Sequence, residues 1–246
     1  MSYAWHWEIF LQPAASGDST YLGWMLAGFE TTIALSLLAW IVALVLGGVF
    51  GVLRTVPNRF LSGLAAAYVE LFRNVPLLVQ LFFWYFVLPE LLPPAWGDAF
   101  KQMNPFAQQF LAACICLGLF TSARVCEQVR AGIQSLPRGQ KNAGLAMGFT
   151  LPQTYRYVLL PMAVRLIVPP LTSEFLNIFK NSAVASTIGL LELAAQGRQL
   201  VDYTAQPYES FIAVTVLYML INVVVMTTMH WVERKTRVPG YIAGGK

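Results

Sequence analysis

Four polar residues stand where an apolar sequence has little reason to place them. Arg124 closes a charge-free run that begins at Gln102. Glu174, Asn177 and Lys180 recur every third residue in a second apolar stretch, Val158 to Ile178 and just beyond, so one helical face can carry all three. An isolated charge at membrane depth costs about 2.5–3.5 kcal/mol on insertion scales, so such a residue marks a pathway by default. A planar guanidinium at position 124 can hold a carboxylate through two parallel hydrogen bonds. Glu174 can accept from an ammonium group, and the Asn177 amide can donate to an α-carboxylate. Two plainer roles remain open for Arg124: its stem can carry the charge to the cytoplasmic surface, or it can pair with Glu127 one helical neighbour away. Lys180 can instead pair with a Glu inside the bundle.

The elements that must position these residues are membrane helices. The chain has 246 residues, 57% hydrophobic and 11% charged, with a net charge of +4. Soluble domains carry about 25% charge. Thr31–Leu53, Gln102–Ala123 (starting after Pro105) and Ser210–Val232 each approach the roughly 20 apolar residues a spanning helix needs. Asn74–Pro89 is marginal, and extends backward through Leu61–Phe72 only if Glu70 and Arg73 face protein. Val158–Ile178 is interrupted by Pro161, Arg165, Pro169, Pro170 and Glu174, which is tolerated where a broken helix faces a bundle or cavity. The expectation is an all-α integral membrane fold with about five transmembrane helices.

Charge sets the orientation. Arg54 and Arg59, then Arg130, Arg138, Lys141 and Arg156, then Arg234, Lys235 and Arg237 fall on one side. The loops Leu91–Gln102 and Gly197–Glu209 have no such excess. The Lys/Arg bias puts the basic side in the cytoplasm and the N-terminus outside. Residues 1–24 then form a periplasmic N-terminal segment, 25–235 the membrane domain and 236–246 a cytoplasmic tail. Trp24, Trp84, Trp96 and Trp231 fall near span ends, as interfacial anchors do. The N-terminus has no basic start and short apolar core, so it does not read as a cleavable signal.

Other chemistry is excluded. The basic residues are scattered between spans, which argues against nucleic acid and for lipid. Cys114, Cys116 and Cys126 match neither a zinc nor a redox spacing and read as small core residues. His6 and His230 fall on opposite sides of the membrane and cannot hold a haem or a metal together. Gly47, Gly48 and Gly51 read as a close helix contact.

The stretch Ser135–Pro161 is more than a connection. Asn142–Met147 is long enough for one and a half turns, Gly148 is placed as a C-cap, and Pro152 stops simple continuation. A short helix parallel to the membrane is the expected result. The spacing of Asn142, Ala143, Gly144, Gly148, Val158, Leu160 and Pro161 resembles the EAA motif of ABC importer permeases, with Asn142 in place of Glu and Gly144 in place of Ala. Tyr68, Val69, Glu70, Arg73, Pro76 and Gln80 resemble the segment before span two in the polar amino acid branch of that family. Glu127, Arg130, Pro137–Gln140 and Lys180–Ala183 resemble further stretches. The likeness covers most of residues 25–235 and is nearest to permeases for glutamate and aspartate. Relatives often place Tyr at position 124, so Arg124 is a departure that suits an acidic substrate.

The resemblance implies a type I importer permease fold in a bacterial inner membrane. Asn142, Ala143, Gly144, Ala146 and Gly148 would lie on a cytoplasmic coupling helix gripped by one of two ATPase subunits. A second permease subunit, paralogous or identical, would complete the pathway, and a periplasmic amino-acid-binding protein would deliver the substrate. ATP and Mg would be bound by the partner ATPases, with no cofactor on this chain. This agrees with the lack of a G-x-x-x-x-G-K-[ST] loop. A secondary transporter usually shows an inverted repeat, which is not visible here. A purely structural subunit would have no use for Arg124 and Glu174.

Overall fold

A computed structural model describes residues 3–15, 17 and 19–236. The helices are α1 (Tyr21–Leu53), α2 (Arg59–Asn74), α3 (Leu77–Phe82), α4 (Leu88–Leu91), α5 (Pro94–Lys101), α6 (Pro105–Gln134), α7 (Arg138–Ala146), α8 (Leu151–Thr154), α9 (Leu160–Asn181), α10 (Leu193–Thr204) and α11 (Pro207–Thr236). Phe83–Val87 and Tyr155–Leu159 are π-helical, and Ser182–Ile188 is a 3-10 helix. Four stretches are long and apolar enough to cross a membrane: Tyr21–Leu53, Pro105–Gln134, Leu151–Ile188 and Pro207–Thr236. A fifth results if Arg59–Asn74 and Leu77–Leu91 together make one bent span.

Three expectations are corrected. The segment before span two does not extend backward as a straight helix, because the chain bends by 102° between Asn74 and Leu77. Pro76 cannot donate to the preceding turn and disfavours helical geometry at Val75. The Gln80 amide then donates to the Val75 carbonyl at 2.8 Å and closes the break. Glu70 and Arg73 are exposed rather than turned into protein. Conversely, the fourth apolar stretch is not broken. The π-helical turn Tyr155–Leu159 lies immediately before Leu160–Pro161, and α9 runs on through Pro169 and Pro170. A π turn widens the helix where a proline removes a donor. Trp84 lies inside the other π turn rather than at a span end. The two loops with balanced charge contain helices, α5 and α10.

The chain divides into two units. The first comprises Met1–Ile41, Val75–Gly118 and Asn177–Val223; the second comprises Val42–Asn74, Leu119–Leu176 and Val224–Lys246. In the first unit the N-terminal segment is part of the core rather than a free arm. Ile9 and Ala14 are buried with Tyr21, Met25, Leu193, Leu200 and Val214. Glu209 accepts from the Tyr3 hydroxyl and the His6 amide, both at 2.8 Å, and ties the segment to the start of α11. α10 packs tightly: a Cβ at Gly197 would lie 2.3 Å from a Val214 methyl, and one at Gly28 would lie 2.7 Å from the Gln196 side chain.

The second unit is held by small residues and a charge network. A Cβ at Gly47 or Gly51 would lie 2.6 or 2.5 Å from the Cβ of Val125 or Val129, so these two glycines bring α1 against α6. Gly48 points into open space and takes no part in that contact. Gly132 meets Ile167 in the same way. Cys116 and Cys126 are buried and Cys114 is partly buried, and all three are free thiols.

Candidate functional site

Arg124 lies two-thirds of the way along α6, and Glu174 lies in the last third of α9. Both belong to the second unit, and the fold brings them together. Arg124 Nη1 and Glu174 Oε2 are 3.9 Å apart, with the Glu174 side chain largely buried and the Arg124 side chain 40% exposed. That separation is an ion pair but too long for a hydrogen bond. The Arg124 guanidinium carbon also sits 4.6 Å from the centre of the Phe120 ring, one helical turn back. Stacking uses the face of the guanidinium, so its N–H edge remains available to a carboxylate.

Pairing of Arg124 with Glu127 is not found. Glu127 is claimed by two other arginines: Arg54, from the end of α1, contacts Oε1, and Arg130 donates to Oε2 through Nε and Nη2 at 3.1 and 2.8 Å. Two cations on one carboxylate leave Arg124 to a different acid. The role of Arg54 is a contact between distant parts of the chain, 73 residues apart, which no spacing rule announces.

Asn177 and Lys180 follow Glu174 on α9 but belong to the first unit. Asn177 is partly buried. Lys180 is exposed and forms no ion pair among the described residues, so the expected pairing with a Glu is not present.

The short helix α7 is present and begins at Arg138, one turn earlier than its spacing suggests. Its end is a Schellman motif. Gly148 has φ +88°, its N–H donates to Leu145 O at 3.0 Å, and the Phe149 N–H reaches back to Gly144 O at 3.2 Å. Thr150 then caps α8 in a reciprocal capping box with Gln153. The departure from Ala at position 144 has a local reason. A Cβ there would lie 2.8 Å from Thr154 Cγ2, so the β-branched Thr154, itself fully buried, fills the place of the missing methyl. Asn142, Ala143, Ala146 and Gly148 all face outward, together with Leu145 (42% exposed) and Met147 (66%). Beside this helix, the Tyr155 hydroxyl donates to Thr55 O at 2.8 Å and ties the π-helical turn to the end of α1.

Besides Glu209, a second buried acid was missed by sequence reasoning. Glu192 is fully buried, caps α10 by accepting from the Ala194 and Ala195 amides at 3.0 and 2.8 Å, and accepts from the Tyr218 hydroxyl at 2.8 Å. Burial pushes its carboxyl above the usual carboxylate range, against these hydrogen bonds. The signal available was an acid inside the apolar run Leu190–Leu193, immediately before a helix. Among the described residues no group of three or more His, Cys, Asp or Glu could hold a metal.

Described residues that are nearly all helical, with four or five candidate spans, a short outward-facing helix between two of them and an ion pair in the spans, have the character of a transport permease. The family of binding-protein-dependent transport system inner membrane components matches residues 43–238. The chain is 64% identical over 245 residues to the glutamate/aspartate import permease protein GltJ of Escherichia coli K12, covering 99% of this chain and 100% of that one. It is 30% identical over 214 residues to the glutamine transport system permease protein GlnP of the same strain, covering 87% and 93%. Among solved structures, an amino acid ABC transporter with histidines superposes with a TM-score of 0.74 at 28% identity, over 87% of this chain and 95% of that one. The MetNI methionine ABC transporter, in an inward-facing conformation, gives 0.74 at 22% identity over 89% and 100%, a likeness of fold.

The chain belongs to the family of binding-protein-dependent transport system inner membrane components. It is a multi-pass membrane permease subunit of the ABC importer type and not itself a catalyst.

Proposed function

We propose that this permease carries glutamate and aspartate inward across the bacterial inner membrane, driven by ATP hydrolysis on partner subunits. The observation that carries the substrate class is the Arg124–Glu174 pair in a chain 64% identical to a glutamate/aspartate permease. A dicarboxylic amino acid brings two carboxylates and one ammonium. Arg124 can exchange its loose pairing with Glu174 for a substrate carboxylate, and Glu174 can then take the ammonium. Asn177 and Lys180 are proposed to serve the remaining carboxylate as it moves along α9. Exchange of ionic partners keeps every charge matched in a medium where an unmatched one is costly.

The outward-facing surface of α7 is proposed as the coupling site, with Asn142, Ala143, Ala146 and Gly148 seated in an ATPase subunit and Gly144, buried against Thr154, supporting that surface from within. Two such ATPases with their ATP and Mg, a second permease subunit and a periplasmic binding protein complete the machine. The Lys/Arg asymmetry supports a periplasmic segment over residues 1–24, a membrane domain over 25–235 and a cytoplasmic tail over 236–246, of which 237–246 lie outside the described residues. A panel of amino acids tested on the purified complex, read as stimulated ATP hydrolysis, decides the substrate. Glutamate and aspartate should stimulate strongly and glutamine weakly. Equal stimulation by glutamine would reject the acidic assignment.

A further inference from the structure

We infer that a cleft formed by α10, the 3-10 helix Ser182–Ile188 and the start of α11 is an entry subsite for the ammonium and carboxylate of a free α-amino acid. The inference rests on the importer reading above and adds a second site to it. The cleft has a volume of about 440 Å³ and is lined by Ser186, Leu191, Arg198, Gln199, Asp202 and Phe211, among others, all within the first unit. That volume is in the range of about 300–1,000 Å³ typical of small-molecule sites.

Its chemistry is specific. Arg198 and Asp202 are four residues apart on α10, so they share a face one turn apart. Opposite charges at that spacing commonly pair. Here both are exposed, both line the cleft, and they form no salt bridge with each other among the described residues. A cation and an anion that open side by side into one cleft match a zwitterion: Arg198 for the carboxylate, Asp202 for the ammonium. Gln199 and Ser186 add hydrogen-bonding groups at the rim, and Leu191 and Phe211 supply apolar walls for the side chain. The platform is anchored at its start. Glu192 caps the helix that carries both charges, Leu193 N–H is held by Thr32 Oγ1 at 3.1 Å, and Gly189 makes the turn into it at φ +92°. Because both contacts address groups common to every α-amino acid, this subsite does not select among side chains. The Lys/Arg asymmetry puts α10 on the outer side, where substrate arrives.

Protection from labelling tests the inference. The whole importer, without its binding protein, is placed in nanodiscs with Gln199→Cys as the only reactive thiol. The rate of modification by a charged maleimide is then measured with and without millimolar ligand. L-Glutamate and L-glutamine should both slow labelling at least fivefold. Glutarate, which lacks the ammonium, and propylamine, which lacks the carboxylate, should not. Arg198→Gln or Asp202→Asn should abolish protection by L-glutamate. No protection in the parent, equal protection in either charge variant, or a thiol unreactive even without ligand because a second permease copy covers it, would each overturn the inference. ATP hydrolysis stimulated by glutamate-loaded binding protein, measured on the complex without substitutions at the cleft, tests the importer reading separately. Normal stimulation together with absent protection would sink the subsite alone.

Discussion

At the scale of single residues, the account turns on which acid each arginine takes. Glu127 takes Arg54 and Arg130, and this leaves Arg124 to Glu174. Arg124→Ala should therefore leave an assembled complex whose affinity for acidic substrate falls about tenfold or more, about 1.4 kcal/mol, less than a fully buried pair would lose because Arg124 is 40% exposed. Arg124→Lys should recover only part of that, because an ammonium lacks the fork. Substrate affinity measured on the purified variants checks this; a silent Lys variant would favour a charge merely reaching the surface. Glu192 makes a different kind of prediction. Glu192→Ala strips two backbone amides and the Tyr218 hydroxyl of their acceptor, at a cost of about 2–4 kcal/mol from the lost cap and the orphaned groups. Glu192→Gln keeps an acceptor and should cost less than half as much, read by thermal unfolding in detergent. Equal effects would mean that the charge, not the cap, matters. Glu174 and Glu192 both lie in apolar runs, but only Glu174 was legible. Its regular spacing with Asn177 and Lys180 drew attention, whereas Glu192 stands alone before a helix whose sequence reads as a loop.

At the scale of elements, the junction of α7 with α8 depends on one fit. Thr154 occupies the space that an Ala at position 144 would need. Gly144→Ala should loosen α7 from α8, lowering the melting temperature and the coupling of ATP hydrolysis to uptake. Thr154→Ala in the same chain should restore both, since the two sites share one cavity. A harmless single variant, or a double variant no better than the single, would refute the fit. The three charge-free spans were readable because lipid demands long apolar helices and little else. The bend at Val75–Pro76 and the continuity of α9 were misjudged for a common reason. Proline removes a donor in both places, but the outcome differs: the Gln80 side chain closes a break in one, while in the other a π-helical turn precedes Pro161 and α9 runs on through Pro169 and Pro170. Neither answer is encoded in local hydropathy.

At the scale of the whole molecule, the proposed orientation rests on loop charge and is open to a direct test. Single cysteines at Ser19 and Asp98 should label from outside intact cells with an impermeant reagent, and one at Lys141 only after permeabilisation; labelling of Ser19 from the inside would invert the map. The role of the N-terminal segment was not legible at this scale. Its Ile9 and Ala14 look like ordinary apolar residues in a polar tail, yet they complete a core shared with α10 and α11. Such long-range burial leaves no periodic trace. The central claim, an ATP-driven carrier of acidic amino acids, is tested most directly by uptake into proteoliposomes. The vesicles hold the complete importer, with ATP sealed on the side of the ATPases and loaded binding protein outside. Labelled L-glutamate should accumulate only with ATP, should be indifferent to a proton ionophore, and should be displaced by aspartate but not by a hundredfold excess of glutamine. Accumulation without ATP that collapses with the ionophore, or equal displacement by glutamine, would contradict the account.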